Sequence, residues 1–399
     1  LTAAVGSLGS GLLAIIGLLG AKQSASGSVA LGVAVALTGL VLAAVAAVAA
    51  QLTTGSRTAI GIAGAVLAAF YLLRAVGDSG PGWVSWLSPM GWAMRIRPFA
   101  DERWWLLLPL LALIALLMTI GYALAGRRDL GFGLFPDRPG PAAAAPSLRN
   151  AYALAWRLQR GTLLAWLIGA AVMGAVFGGA AKAIGNANLD NKQLSDMLAR
   201  LGGSSGLLNA YLGTIVGLLG LVITAYAVQA TLRMRAEEAS GRLEPVLSTR
   251  TGRIGWAVSH LAFAVVGTAL LLAVAGALAG IAYGSSINDT AGQTGRLVAA
   301  SLVQAPAAWV VVGFGAALFG LVPRRSGLTW AALGLCLLIL EVGEILGLSH
   351  WVLDVSPFAH VPKLPGATFT ATPLIWLTVI AALLGGVGLV AFRRRDVPQ

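Results

Sequence analysis

The sequence predicts an all-α polytopic membrane protein, and three observations carry that prediction. Hydrophobic residues make up 58% of the chain and charged residues only 11%, a balance that excludes a soluble domain. The apolar residues gather in runs of about 18 or more, the length a helix needs to cross the hydrocarbon core. Period-2 alternation is absent and lipid offers no partner to an open sheet edge, so the runs are helices rather than barrel strands.

Ten spans follow in order. Span 2–20 ends before Lys22; 29–50 and 58–76 flank Arg57; 104–125 runs into Arg127 and Arg128; 161–181 follows Arg149, Arg157 and Arg160. Spans 207–232 and 254–284 bracket the charged stretch Arg233 to Arg253; 297–322 and 328–346 flank Arg324 and Arg325; 373–392 ends on Arg393, Arg394 and Arg395. The arginines therefore mark alternate connections, which face the cytoplasm by the positive-inside rule and put the C-terminus and any N-terminal extension there. The excess of 27 basic over 15 acidic residues is thus a topology signal in a multi-pass plasma-membrane protein and not a nucleic-acid footprint. The remaining connections, 77–103, 182–206, 285–296 and 347–372, are richer in Ser, Asn, Trp and Pro and face outward. Cys336 is the single cysteine and lies inside an apolar run, so no intramolecular disulfide is available. The 52 glycines suit close helix contacts or reflect compositional bias, and the sequence leaves both open.

The chain repeats. Trp83, Ser88 and Pro89 recur as Trp351, Ser356 and Pro357 at an offset of 357 − 89 = 268, and Arg127, Arg128 and Asp129 recur as Arg394, Arg395 and Asp396 at 267. Six spans lie between matched points, so the expected copies are parallel. The first repeat is read as 1–128, the Pro-, Gly- and Ala-rich linker as 129–147, and the second repeat as 148–399. The second copy has more upstream sequence than the first, and the chain opens without methionine. Two further spans are therefore expected before Leu1, giving two parallel repeats of six, with a processed ten-span protein as the alternative.

The inward stretch Arg233 to Arg253 is the longest charged connection. Gly241 breaks the descending helix, and Pro245 is tolerable in a first turn, so a helix–break–helix hairpin is predicted. Leu243, Val246 and Leu247 have i, i+3, i+4 spacing and form one apolar face able to dock in a groove, while a solvated topogenic loop is the plainer alternative. Leu154 and Leu158 in segment 148–160 predict a helix on the cytoplasmic surface, or simply the lower end of the next span.

Glu237-Glu238-x-x-Gly241-Arg242-x-Glu244-x-x-Leu247-Ser248 with Gly252-Arg253, the Ser-Pro outer loops and the last span ending Arg-Arg-Asp together resemble the ABC-2 type permeases. The likeness is to their two-copy actinobacterial branch, described as exporters of polyketide antibiotics and including a mycobacterial multidrug efflux permease. It implies that the hairpin with Glu237, Glu238, Gly241, Arg242, Leu243, Glu244, Val246 and Leu247 is a coupling helix resting on a separate ATP-binding subunit. Two copies of that subunit would carry ATP and Mg, and this chain would carry no cofactor. It also implies that the outer connections, with Ser88, Pro89 and Trp92 in one and Ser356, Pro357 and Phe358 in the other, are short re-entrant helices capping the exit. An interfacial aromatic belt is the alternative.

Charged groups inside spans are costly and call for a role. Glu341 and Glu344 share a helix face, and Arg74 corresponds to position 74 + 268 = 342, so a pairing across the repeat is expected beside the alternative of local pairing or snorkelling. The carboxylates are also candidates for recognising a cationic substrate. There is no G-x-x-x-x-G-K-[ST] loop, no H-E-x-x-H and no Cys/His cluster, so no catalytic or metal site is expected. The reading is an exporter permease for hydrophobic or amphipathic drugs, antibiotics or lipids. An ion-driven twelve-span carrier is the runner-up, and a membrane-embedded lipid transferase comes third.

Overall fold

The computed structural model describes residues 2–79, 81–127, 150–185, 203–342 and 349–395, together with 143, 145 and 148. Its described residues are helices and connecting turns, and nine helical stretches among them are long and apolar enough to cross a membrane. A tenth, Leu328–Leu340, is apolar but shorter. The chain forms two units, Leu1–Ala142 and Ala143–Gln399. Most of the expected linker 129–147 lies outside the described residues.

In the first unit, α1 (Thr2–Gly20) packs on α2 (Ala25–Leu52), and α2 in turn packs on α3 (Ser56–Ser79) and α5 (Leu107–Ala125). Ser24 caps α2 by accepting from the Gly27 N–H at 3.4 Å. Between α3 and α5 stand a 3₁₀ turn at Val84–Leu87, α4 (Pro89–Arg95) and a second turn at Trp104–Leu106. Ser88 is extended, as the residue before a proline must be, and its buried Oγ donates to Phe70 O at 2.7 Å, tying this outer connection to α3. Trp92 Nε1 donates to Trp86 O at 2.6 Å within the same connection.

The second unit contains α6 (Ala151–Gly185), α7 (Gly203–Ala239), α8 (Leu243–Leu247), α9 (Arg253–Ile287), α10 (Thr290–Leu302), α11 (Ala305–Leu321), α12 (Leu328–Val342), α13 (His350–Leu353) and α14 (Ala371–Arg394). At its centre, α7 touches α6, α9, α10, α11 and α12. Adding 268 to α2 gives 293–320, the range of α10 with α11, and adding it to α5 gives 375–393, within α14. The partners recur too: α9 lies on α10, and α11 lies on α12 and α14. Ser356 is again extended before Pro357, again buried, and opens a 3₁₀ turn whose Phe358 enters the core against Leu221, Val228 and Leu377.

Three expectations are corrected here. The surface helix 148–160 is continuous with the next span, because Ala155, Gln159 and Leu163 keep one buried stripe in phase through Gly161. The outer loop 285–296 shrinks to two residues: Asn288 ends α9 at φ +59, and Asp289 caps α10 by accepting from Gly292 N–H at 3.2 Å. The single span 297–322 is broken at Val303 and Gln304, because Pro306 in the first turn of α11 has no N–H to give Leu302 O. In the first copy the same position, 306 − 268 = 38, is Thr38, and α2 runs through unbroken.

The glycines divide into both classes that the sequence left open. Gly174 and Gly178 of α6 meet the backbone of Ala275 and Ala279 on α9, Gly320 meets Gly388, and Gly11 meets Gly32 and Ala36. Others, Gly9, Gly61 and Gly179 among them, face open space. A side chain at Gly178 must push α6 from α9, so Gly178→Leu is expected to lower stability by about 1–3 kcal/mol. Gly179→Leu, one residue on, is expected to leave the melting temperature of the detergent-solubilised protein unchanged, and equal effects from both would refute this packing.

Candidate functional site

The charged stretch between α7 and α9 folds as the predicted hairpin. α7 ends at Ala239, Gly241 turns the chain at φ +69, and α8 begins at Leu243 with Pro245 inside its first turn. A β-carbon is strained at that φ, so Gly241→Ala is expected to cost about 1 kcal/mol, read as a lower melting temperature.

Glu237 and Glu238 do not point into solvent. Their side chains are 6% and 3% exposed. Glu237 accepts from Arg233 Nη2 at 2.7 Å on one side and from Arg242 Nε at 2.7 Å and Nη2 at 3.3 Å on the other. Both the hydrogen bond and the charge of Glu237 raise the Arg242 guanidinium above its ordinary pKa. Glu238 lies within 3.4 Å of Arg235 Nη1 and accepts at 2.8 Å from Arg395 Nη2, which arrives from the end of α14. Arg253, the first residue of α9, donates to Arg395 O at 2.6 Å and Arg393 O at 3.3 Å, satisfying carbonyls that the end of α14 leaves open. Four guanidiniums thus contact two carboxylates, with Arg253 held beside them by backbone carbonyls, and the surplus is positive.

Under this knot is an aromatic floor. Arg395 lies over Phe319 and Phe392 at 5.3 and 5.6 Å, and Trp256 stands 5.8 Å from Phe392 and 4.8 Å from His260. His260 Nδ1 meets Gln159 Nε2 at 3.2 Å; an amide nitrogen only donates, so Nδ1 accepts. Leu243 is buried in the same cluster with Met234, and Val246 and Leu247 pack against it. This corrects the sequence reading: the apolar face of α8 is already docked on its own helices. Burying those three side chains leaves Arg242, Glu244, Pro245, Ser248, Thr249 and Arg250 on the outer surface of the hairpin.

Sequence reasoning treated Arg393, Arg394 and Arg395 as topology markers and, finding no Cys/His cluster, gave His260 no role. It missed Trp256, Phe319, Phe392 and Gln159 entirely. Of the intramembrane charges, Arg74 takes the local partner that was the alternative. Arg74 Nε binds Asp78 at 3.1 Å, one turn along its own helix. Glu341 stands in the last turn of α12, and Glu344 lies outside the described residues.

Long apolar helices in two units, the second of them closed at one end by a basic hairpin knot, define a multi-pass membrane protein of the permease class. A family model described as "Multidrug efflux system permease Rv1217c, C-terminal domain" matches residues 148–393. The chain is 42% identical over 391 residues to the multidrug efflux system permease protein Rv1217c of Mycobacterium tuberculosis (strain ATCC 25618 / H37Rv), covering 98% of this chain and 71% of that protein. The chain belongs to this permease family.

Proposed function

We infer that the chain is the transmembrane subunit of an ATP-binding cassette exporter that moves hydrophobic or amphipathic compounds, drugs and antibiotics foremost, out of the cell. The carrying observation is the hairpin α7–α8–α9, whose buried face is clamped to α14 through Glu238 and Arg395 and whose polar face is presented outward. The related permease is named for multidrug efflux, which fits such cargo. In this reading the basic end is cytoplasmic, and two copies of a separate ATPase bind ATP and Mg and press on α8. The clamp makes α7, α9 and α14 follow that movement as one body. The short helices after Ser88 and Ser356 cap the outer exit.

The test targets the outward face, because replacing Glu237 or Glu238 would dismantle the fold of the hairpin. The full protein, tagged on this chain and expressed with the ATPase encoded beside it, is purified as wild type and as Glu244→Arg with Arg250→Glu. The reading expects ATPase activity to co-purify with wild type and to be lost or uncoupled in the variant at an unchanged melting temperature. A folded wild type without any ATPase would instead support an ion-driven carrier. Glu341→Gln with Glu344→Gln, assayed for proton-dependent uptake, would then be the decisive pair.

A further inference from the structure

We propose that the groove between α6 and α7 is a capture subsite for a neutral amphiphile bearing an aromatic ring and a hydrogen-bond acceptor. This rests on the permease reading and names the ligand chemistry it requires. The groove holds about 260 Å³, walled by Trp166, Gly169 and Met173 of α6 and by Val222 and Ile223 of α7. Among the described residues no charged side chain lines it, so a charged group seated there would lose its hydration without a partner from them.

An independent observation supplies the polar half of the ligand. Trp166 Nε1 donates to Gln229 Oε1 at 2.9 Å. An indole nitrogen can only donate, so this bond fixes the amide with its NH₂ turned the other way. Gln229 is exposed, and its Nε2 has no hydrogen-bond partner among the described residues. Trp166 is itself held edge-on to Tyr226 at 6.3 Å, and Tyr226 is anchored by its hydroxyl to Phe263 O at 3.0 Å, so the ring and the amide are positioned before a ligand arrives.

Depth completes the argument. Gln229 stands one helical turn, about 6 Å, before Arg233, where the charged end of α7 begins. Gln229 is not itself part of the groove wall but is joined to it through Trp166, so the groove has a polar group beside its end nearer the charged edge of α7. An amphiphile partitioned into that leaflet places its acceptor at Gln229 and its ring beside Trp166 and Met173.

The experiment uses the full protein in nanodiscs and two neutral probes read by energy transfer from tryptophan. Nile red is a fused-ring ketone, and diphenylhexatriene is a hydrocarbon without an acceptor. Gln229→Met is expected to weaken Nile red binding about tenfold and to leave diphenylhexatriene unchanged. A β-carbon at Gly169 meets nothing within 4 Å and the position lines the groove, so Gly169→Leu is expected to fill the groove and weaken both probes. An unchanged melting temperature verifies the fold of each variant. Nile red affinity unchanged in either variant, or no saturable binding by wild type because phospholipid occupies the groove, overturns the subsite. Wild type that shows the expected binding pattern but fails to export Nile red from cells leaves the subsite standing and sinks the permease reading instead.

Discussion

Arg395→Ala is expected to destabilise the second unit by about 3–5 kcal/mol, the loss typical when one partner of a buried ion pair is removed. The Arg395 side chain is 16% exposed and Glu238 only 3%, so water does not replace the missing guanidinium. Arg235 remains near Glu238, but at 3.4 Å and 32% exposed it is the weaker partner. The variant also loses the stacking of the guanidinium on Phe319 and Phe392. The effect should appear as a large fall in melting temperature, and as faster proteolysis at Thr249 to Gly252 once the hairpin is released from α14. Exchanging the charges, Glu238→Arg with Arg395→Glu, is expected to recover part of the loss, since the contact pairs opposite charges. An Arg395→Ala variant that melts with wild type would mean that the hairpin is held by its aromatic floor alone.

Trp256→Ala is expected to match that loss, at about 3–5 kcal/mol, by a different route. Trp256 is 2% exposed and touches Phe319, Phe392 and His260 from the first turns of α9. Its removal leaves a cavity under Leu243, the residue that seats α8. Melting should fall, and on the exporter reading proposed above, ATPase activity co-purified with the chain should lose its stimulation by transported compounds, because a loosely seated α8 would no longer carry movement into α7 and α9. Trp256→Phe keeps most of the packing and is expected to recover most of the melting temperature. If Trp256→Ala uncouples without lowering the melting temperature, the floor acts in transmission and contributes little to stability.

The helices and the hairpin were largely legible in the sequence. Apolar runs bounded by arginines located the spans, although α6 begins at Ala151 rather than 161 and α7 continues to Ala239 rather than 232, and Gly241 with Pro245 announced the break between α7 and α8 because both residues act through their own backbone. Two local signals were present but unread. Asn288-Asp289 is a helix stop followed by a helix start, and Pro306 ends the α10 ladder inside what otherwise looks like one span.

What the sequence by itself determined is the order of the helices and the place of most apolar spans, since span length, arginine placement and helix breakers act over a turn or two of neighbouring residues. Only the tertiary structure decided how those helices are used. It paired Glu238 with an arginine 157 positions away, turned Leu243, Val246 and Leu247 inward, and separated the contact glycines such as Gly178 from the open ones such as Gly179. It also brought Trp166 and Gln229 together across 63 residues. The physical reason is that such pairings depend on the rotation of each helix about its axis and on its packed neighbours, and hydropathy and charge along a single chain do not specify either.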